Sequence, residues 1–233
     1  MIGPRGGTLH ELAHASAAAT KERENGDIAE SSPPGGITRK SATPLRVRCF
    51  IAINLPPDVR LHLAGHTAPL RHAAPGERWV EPDRLHATVR FLGEVDAAFI
   101  DRLAAALAPA AARYDPLPLA IATVGAFPTW KRARVIWAGV GYDPKLELLH
   151  HDVELACNGL GLEVEGRPFR PHVTLARLRE PGGDTARAIF RAARGRPLRY
   201  DMTLDSIDLM QSTVVGAGRQ YTRLHAIPLG RTR

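Results

Sequence analysis

The sequence predicts an α+β fold dominated by antiparallel sheet, and three observations carry that prediction. Short apolar runs rich in β-branched and aromatic residues read as strands, and amphipathic stretches between them read as helices. The two kinds also mix without the strict strand-helix alternation of a parallel sheet. At 233 residues the chain is long enough to bury a sizeable core, and 44% hydrophobic with 24% charged residues is a globular composition.

Residues 1–45 lack sustained apolar periodicity and end in SSPPGGITRKSATP, so they read as a disordered leader ahead of one domain over 46–233. Val47 to Leu55 is a buried strand stopped by Pro56-Pro57, and Asp58 to Leu70 has helical composition broken by Pro75-Gly76. Arg78-Trp79-Val80 leads into a strand from Leu85 to Leu92 closed by Gly93. Ala97 to Ala112 is a helix with Phe99, Ile100, Leu103, Leu107 and Ala110 along one face. Pro116 to Ala122 alternates as a strand, Gly125-Ala126-Phe127-Pro128 reads as a turn, and Ala133 to Val140 is strand-like. Pro144 to Asn158 is helical, with Leu146, Leu149, Val153 and Cys157 on one stripe, ahead of a short strand near Leu162-Glu163-Val164. Phe169 to Leu178 is a strand, Thr185 to Arg194 a helix, and Met202 to Met210 and Tyr221 to Leu229 two final strands.

Composition removes several classes. The longest apolar run, Leu103 to Ala112, holds Pro109 and is far short of a bilayer span, so no membrane partner is expected. No basic segment followed by an apolar stretch opens the sequence, and Cys49 and Cys157 are too few for a disulfide scaffold; a cytoplasmic, reduced setting is expected. The net charge of +7 lies wholly after residue 45, because the first 45 residues balance. Of 31 basic residues only Lys21, Lys40, Lys131 and Lys145 are lysine; the rest are arginine, whose planar donor suits phosphate oxygens. Within the leader, His10-Glu11-Leu12-Ala13-His14 is a literal H-E-x-x-H. Its flanks are polar or small, and Thr20 stands where a third zinc ligand would be, so it reads as a chance match. His150-His151 are helix neighbours about 100° apart and cannot chelate one ion together. They and Cys157 read as packing or surface residues, and Trp137 as core.

Two stretches share one pattern: Leu85-His86-Ala87-Thr88-Val89-Arg90-Phe91 and Pro171-His172-Val173-Thr174-Leu175-Ala176-Arg177. Side chains alternate faces along a strand, so His86, Thr88 and Arg90 are expected to project together, as are His172 and Thr174. Arg177 reaches that side only if its strand bends, bulges or ends there. The two copies suggest an internal duplication. Two imidazoles can act as general acid and general base near neutral pH while Thr and Arg hold phosphate oxygens, a phosphodiester-cleaving arrangement that requires no metal or other cofactor.

These motifs, with Arg48-Cys-Phe-Ile-Ala-Ile-Asn-Leu-Pro56, Gly125-Ala-Phe-Pro128, Arg134-Val-Ile-Trp-Ala-Gly-Val140 and Tyr221-Thr222, resemble the RNA 2′,3′-cyclic phosphodiesterases, or 2′-5′ RNA ligases, of the two-histidine phosphoesterase superfamily. The resemblance runs from about residue 46 to 229. It implies a bilobal fold, with two pseudo-symmetric lobes of mainly antiparallel sheet, helices outside, and a cleft holding one motif from each. By position, His86 resembles the proton donor and His172 the proton acceptor. Thr88 and Thr174 would bind nonbridging phosphate oxygens, Arg177 would contact phosphate, Phe50 would line the cleft, and Arg90 stands where a basic residue is common. The partner implied is RNA bearing a 2′,3′-cyclic phosphate, or a small cyclic nucleotide, acted on by a monomer without an obligate protein partner. A non-catalytic module that binds RNA ends is the alternative.

Overall fold

A computed structural model describes residues 46–216 and 218–230, and among these are nine strands and four helices. In chain order they are β1 (Arg46–Asn54), α1 (Pro57–Ala73), β2 (Arg78–Trp79), β3 (His86–Asp96), α2 (Ala97–Ala111), β4 (Leu117–Phe127), β5 (Val135–Val140), α3 (Pro144–Gly159), β6 (His172–Arg177), α4 (Gly183–Ala193), β7 (Arg199–Leu204), β8 (Ser206–Val215) and β9 (Gly218–Pro228). None of the helices is long and apolar enough to cross a membrane. The H-E-x-x-H motif and the rest of residues 1–45 lie outside the described residues.

Every strand pairing is antiparallel, in the order β7-β4-β5-β6-β3-β1-β8-β9, with β2 added on β6. The α+β reading therefore holds. The sheet has two four-stranded halves, joined where Ala87 of β3 pairs with Val173 of β6. The halves repeat one plan, β1-α1-β3 in one and β5-α3-β6 in the other. One half is built from the contiguous stretch that runs from β4 to β7, whereas the other takes β1 and β3 from before that stretch and β8 and β9 from after it.

Helix positions follow from packing more than from caps. In α2 the Asp96 side chain accepts from the Phe99 amide at 2.6 Å, a cap of about 1 kcal/mol. Phe99, Ile100, Leu103 and Leu107 are buried as read, each worth about 1.5–3 kcal/mol, so the apolar face decides. The face closes on Ala111 rather than Ala110. In α3, Asp143 caps ahead of Pro144, and Leu146, Leu149, Val153 and Cys157 all reach the core; Glu154 is buried among them.

Four local readings are corrected. Gly125 to Phe127 is not a turn, because β4 continues to Phe127. Gly125 is there to make room, since a Cβ on it would overlap the Trp137 indole. Leu162 to Val164 is not a strand: the Glu163 carbonyl accepts from Arg90, so a side chain supplies what a ladder would. Met202 to Met210 spans two strands, broken at Asp205, whose carbonyl takes the Leu229 amide at 2.8 Å. Finally β6 begins at His172, three residues later than read.

Candidate active site

Ala87 and Val173 point into the core and are fully or nearly fully buried, which turns their neighbours the other way. On an antiparallel pair centred on them, His86 stands across from Thr174 and Thr88 across from His172. The two histidines thus occupy a diagonal, for which the Cα spacing is about 7–8 Å near the pairing. All four side chains line one cavity of about 360 Å3, together with Arg177 and Phe50.

Each imidazole is held the same way. His86 Nδ1 lies 2.8 Å from the Arg84 carbonyl, and His172 Nδ1 lies 2.7 Å from the Arg170 carbonyl, in both cases two residues upstream. A carbonyl only accepts, so Nδ1 carries the proton and Nε2 is left for a ligand. Aromatic rings fix the planes: Phe50 and Tyr221 pack on His86 at centroid distances of 5.0 and 5.1 Å, and Phe127 packs on His172 at 4.9 Å. Phe50 itself belongs to a small apolar cluster with Ala52 and Met210 beneath the cleft. Burial is the main influence on His86 and disfavours its charged form. The bond to the Arg84 carbonyl opposes this, while Arg177 and His172 add to the lowering; the net pKa lies below the ordinary histidine value.

Arg90 is corrected. It does not line the cavity; it is 3% exposed, ion-paired with Glu154 of α3 and hydrogen-bonded to the Glu163 carbonyl. The cause is a bulge: β1 pairs Ile51 with Arg90 and Ala52 with Thr88, skipping Val89, so alternation resets and Val89 and Arg90 both turn inward. Phe91 then faces the cleft. The second strand does the same. Ile136 pairs with Ala176 and Trp137 with Thr174, skipping Leu175, and Arg177 emerges into the cavity; of the bend, bulge or strand end that the sequence left open for it, the bulge is found, at the residue where β6 also ends.

Sequence reasoning missed Phe91 and three more arginines, Arg48, Arg84 and Arg219, that line the same cavity. Their signal was weak because each sits on a different element or loop. Arg84 donates to the Arg219 carbonyl at 3.2 Å, and Arg219 donates to Ser212 at 3.0 Å, so β9 and the segment before β3 are tied at one rim. None of the described residues lining the cavity is acidic, so four arginines set a positive field there. Among the described residues no group of three or more His, Cys, Asp or Glu is placed to hold a metal ion. His150 stacks on Phe169 at 4.0 Å, consistent with a packing role.

Two like half-sheets presenting paired His-x-Thr strands across a cleft lined by four arginines define a two-histidine α+β protein. The model of the 2′-5′ RNA ligase superfamily matches residues 57–215, and the chain belongs to that family. An RNA 2′,3′-cyclic phosphodiesterase of Aeropyrum pernix is 31% identical over 172 residues, 71% of this chain and 96% of that protein. One of Methanothermobacter thermautotrophicus is 26% identical over 185 residues, 79% of this chain and all of that protein. One of Geobacillus stearothermophilus is 34% identical over 132 residues, a match spanning 57% of this chain and 42% of that relative's own length. Among solved structures, TT0787 of Thermus thermophilus has a TM-score of 0.67 at 26% identity, covering 79% of this chain and all of that one. Apo LigT of Escherichia coli has a TM-score of 0.62 at 26% identity, covering 80% and 99%.

Proposed function

We propose that the protein hydrolyses 2′,3′-cyclic phosphate ends of RNA, or small cyclic nucleotides, to 2′-phosphomonoesters. The observation that carries this reading is the matched pair of imidazoles, each with Nδ1 satisfied by its own backbone and Nε2 free, lining one positive cavity. The names of the relatives support the substrate class.

His172 Nε2 takes a proton from water, whose oxygen attacks phosphorus in line. The bond from phosphorus to the 3′ oxygen breaks, and His86 gives its Nε2 proton to that oxygen. Thr88, Thr174 and Arg177 hold the nonbridging oxygens, and Arg177 offsets charge that grows on them. Burial and the Arg177 charge bias His86 to the neutral form. The substrate's negative charge between the two cations reverses that bias, so the donor is charged when it is needed. With a 5′-hydroxyl of a second RNA in place of water, the same transfers form a 2′-5′ linkage, and microscopic reversibility allows its cleavage. The enzyme acts as a monomer, because one chain supplies both histidines.

The test is turnover of adenosine 2′,3′-cyclic phosphate in EDTA by the wild-type protein beside His86→Ala and His172→Ala. Turnover to the 2′-monophosphate only in wild type is expected; equal rates in all three, or binding of cyclic-phosphate RNA with no turnover at all, reject the proposal.

A further inference from the structure

Arg90 of β3 and Glu154 of α3 are both buried and ion-paired, away from the cleft. Apolar side chains of similar volume can often fill such a place with no loss of stability, so stability alone does not account for the pair. What sets it apart is where its remaining hydrogen bonds go. Arg90 donates to the Glu163 carbonyl, and Glu154 accepts from the Glu165 amide at 3.2 Å.

Both contacts fall in residues 160–171, the irregular stretch between α3 and β6. Among the described residues no backbone-to-backbone hydrogen bond reaches residues 163–170, so the polar anchoring of that stretch comes from the buried pair. Further along, Phe169 stacks on His150 of α3 with centroids 4.0 Å apart, and His150 Nε2 stands 3.7 Å from the second Glu154 oxygen. The next residue is Arg170, whose carbonyl accepts from His172 Nδ1. The carbonyl that serves His86 is held differently. It belongs to a 3-10 turn over Pro82–Arg84 that its own backbone closes, the Arg84 amide donating to the Glu81 carbonyl at 2.9 Å.

We infer that Arg90 and Glu154 are positioning residues for His172: the buried pair fixes the 163–170 stretch, and through it the Arg170 carbonyl that sets the tautomer and direction of the imidazole. This rests on the hydrolytic reading for what His172 does, and adds to it how an ion pair outside the cleft serves the reaction. A displaced carbonyl loosens its hold on Nδ1, and a misplacement of about 1 Å costs on the order of 100-fold in rate. The ring then divides between two tautomers, of which only the one protonated at Nδ1 leaves Nε2 open to take a proton. Thr88, Thr174 and Arg177 stand on β3 and β6 rather than on the stretch, so the grip on phosphate is spared.

Two variants of the full chain separate position from stability. Arg90→Met with Glu154→Leu replaces the pair by apolar groups of similar volume, which keeps the fold and removes both anchors. Arg90→Lys keeps a cation against Glu154 but loses the planar fork whose second arm holds the Glu163 carbonyl. With adenosine 2′,3′-cyclic phosphate, at a temperature where circular dichroism shows each variant folded, kcat should fall about 10–100-fold with KM nearly unchanged. Nitrogen NMR should find His172 divided between its tautomers while His86 keeps its proton on Nδ1. Wild-type kcat with a single His172 tautomer in both variants overturns the positioning role, as does an equal disturbance of the two rings, which marks a general loosening. A wild-type protein without turnover removes the hydrolytic reading, and the His172 tautomer alone then decides the anchoring.

Discussion

Phe91 and Arg177 occupy matching places in the two half-sheets: each follows its strand's histidine by five residues, and each is turned into the cleft by a bulge two residues earlier. The duplicated backbone thus presents an apolar ring on one side and a cation on the other. Arg90, which sequence alternation aims at the ligand, corresponds instead to the buried Ala176.

That placement predicts how Arg90 fails when changed. Arg90→Ala leaves Glu154 charged and buried, and such an uncompensated charge costs about 3–5 kcal/mol. Thermal or urea unfolding should show a loss of that size, and Arg90→Met combined with Glu154→Gln should recover most of it. A wild-type unfolding curve for Arg90→Ala would contradict the buried pair.

Removing either imidazole should lower kcat by about 10²–10⁴-fold with little change in fold, since each is half-buried and held by one backbone bond. Stopped-time assays with circular dichroism as control check it. A loss below 10-fold in both variants would count against acid-base roles.

His86 also makes a pH prediction. Its folded pKa is lowered, so between that value and the ordinary one near 6.5 the unfolded chain binds more protons and stability rises with pH. The Tm should therefore drop as pH falls below about 6.5, and less steeply with phosphate bound, because an anion restores the imidazolium. Phosphate binding should be accompanied by proton uptake in this range, readable by calorimetry in buffers of different ionisation enthalpy.

Arg177 lowers the His86 pKa through its charge, after burial. Arg177→Gln should move the His86 titration upward in an NMR titration while weakening phosphate binding. A downward or absent shift would separate the two groups electrostatically.

Gly125→Ala drives a Cβ into the Trp137 ring, and Trp137 lies 6.4 Å from the His172 ring. Overpacking of this kind costs about 1–3 kcal/mol. Both stability and kcat should fall, measured by unfolding and by initial rates.

What sequence patterning made legible was the antiparallel class, the four helices with the buried stripes of α2 and α3, and both His-x-Thr strands. Period-two alternation placed His86, Thr88, His172 and Thr174 because Ala87 and Val173 between them are apolar. It failed at Arg90 because a bulge is a relation between two strands, visible only when Ile51 is seen opposite. The bulge beyond Thr174 was one of three alternatives, with a bend and a strand end, by which Arg177 could reach the cleft, and period-two patterning alone did not choose among them. Gly125 misled because glycine marks turns and close contacts alike, and the contact was with Trp137 on the next strand.

Because β8 and β9 lie beyond the whole of the other half-sheet in the chain, the half-sheet of β1 and β3 is completed only across it. A backbone cut between Phe127 and Val135 would strand β4 without its β5 partner and deprive β1 of β8. Neither fragment would hold a whole half-sheet, so pieces split there would regain order only when mixed.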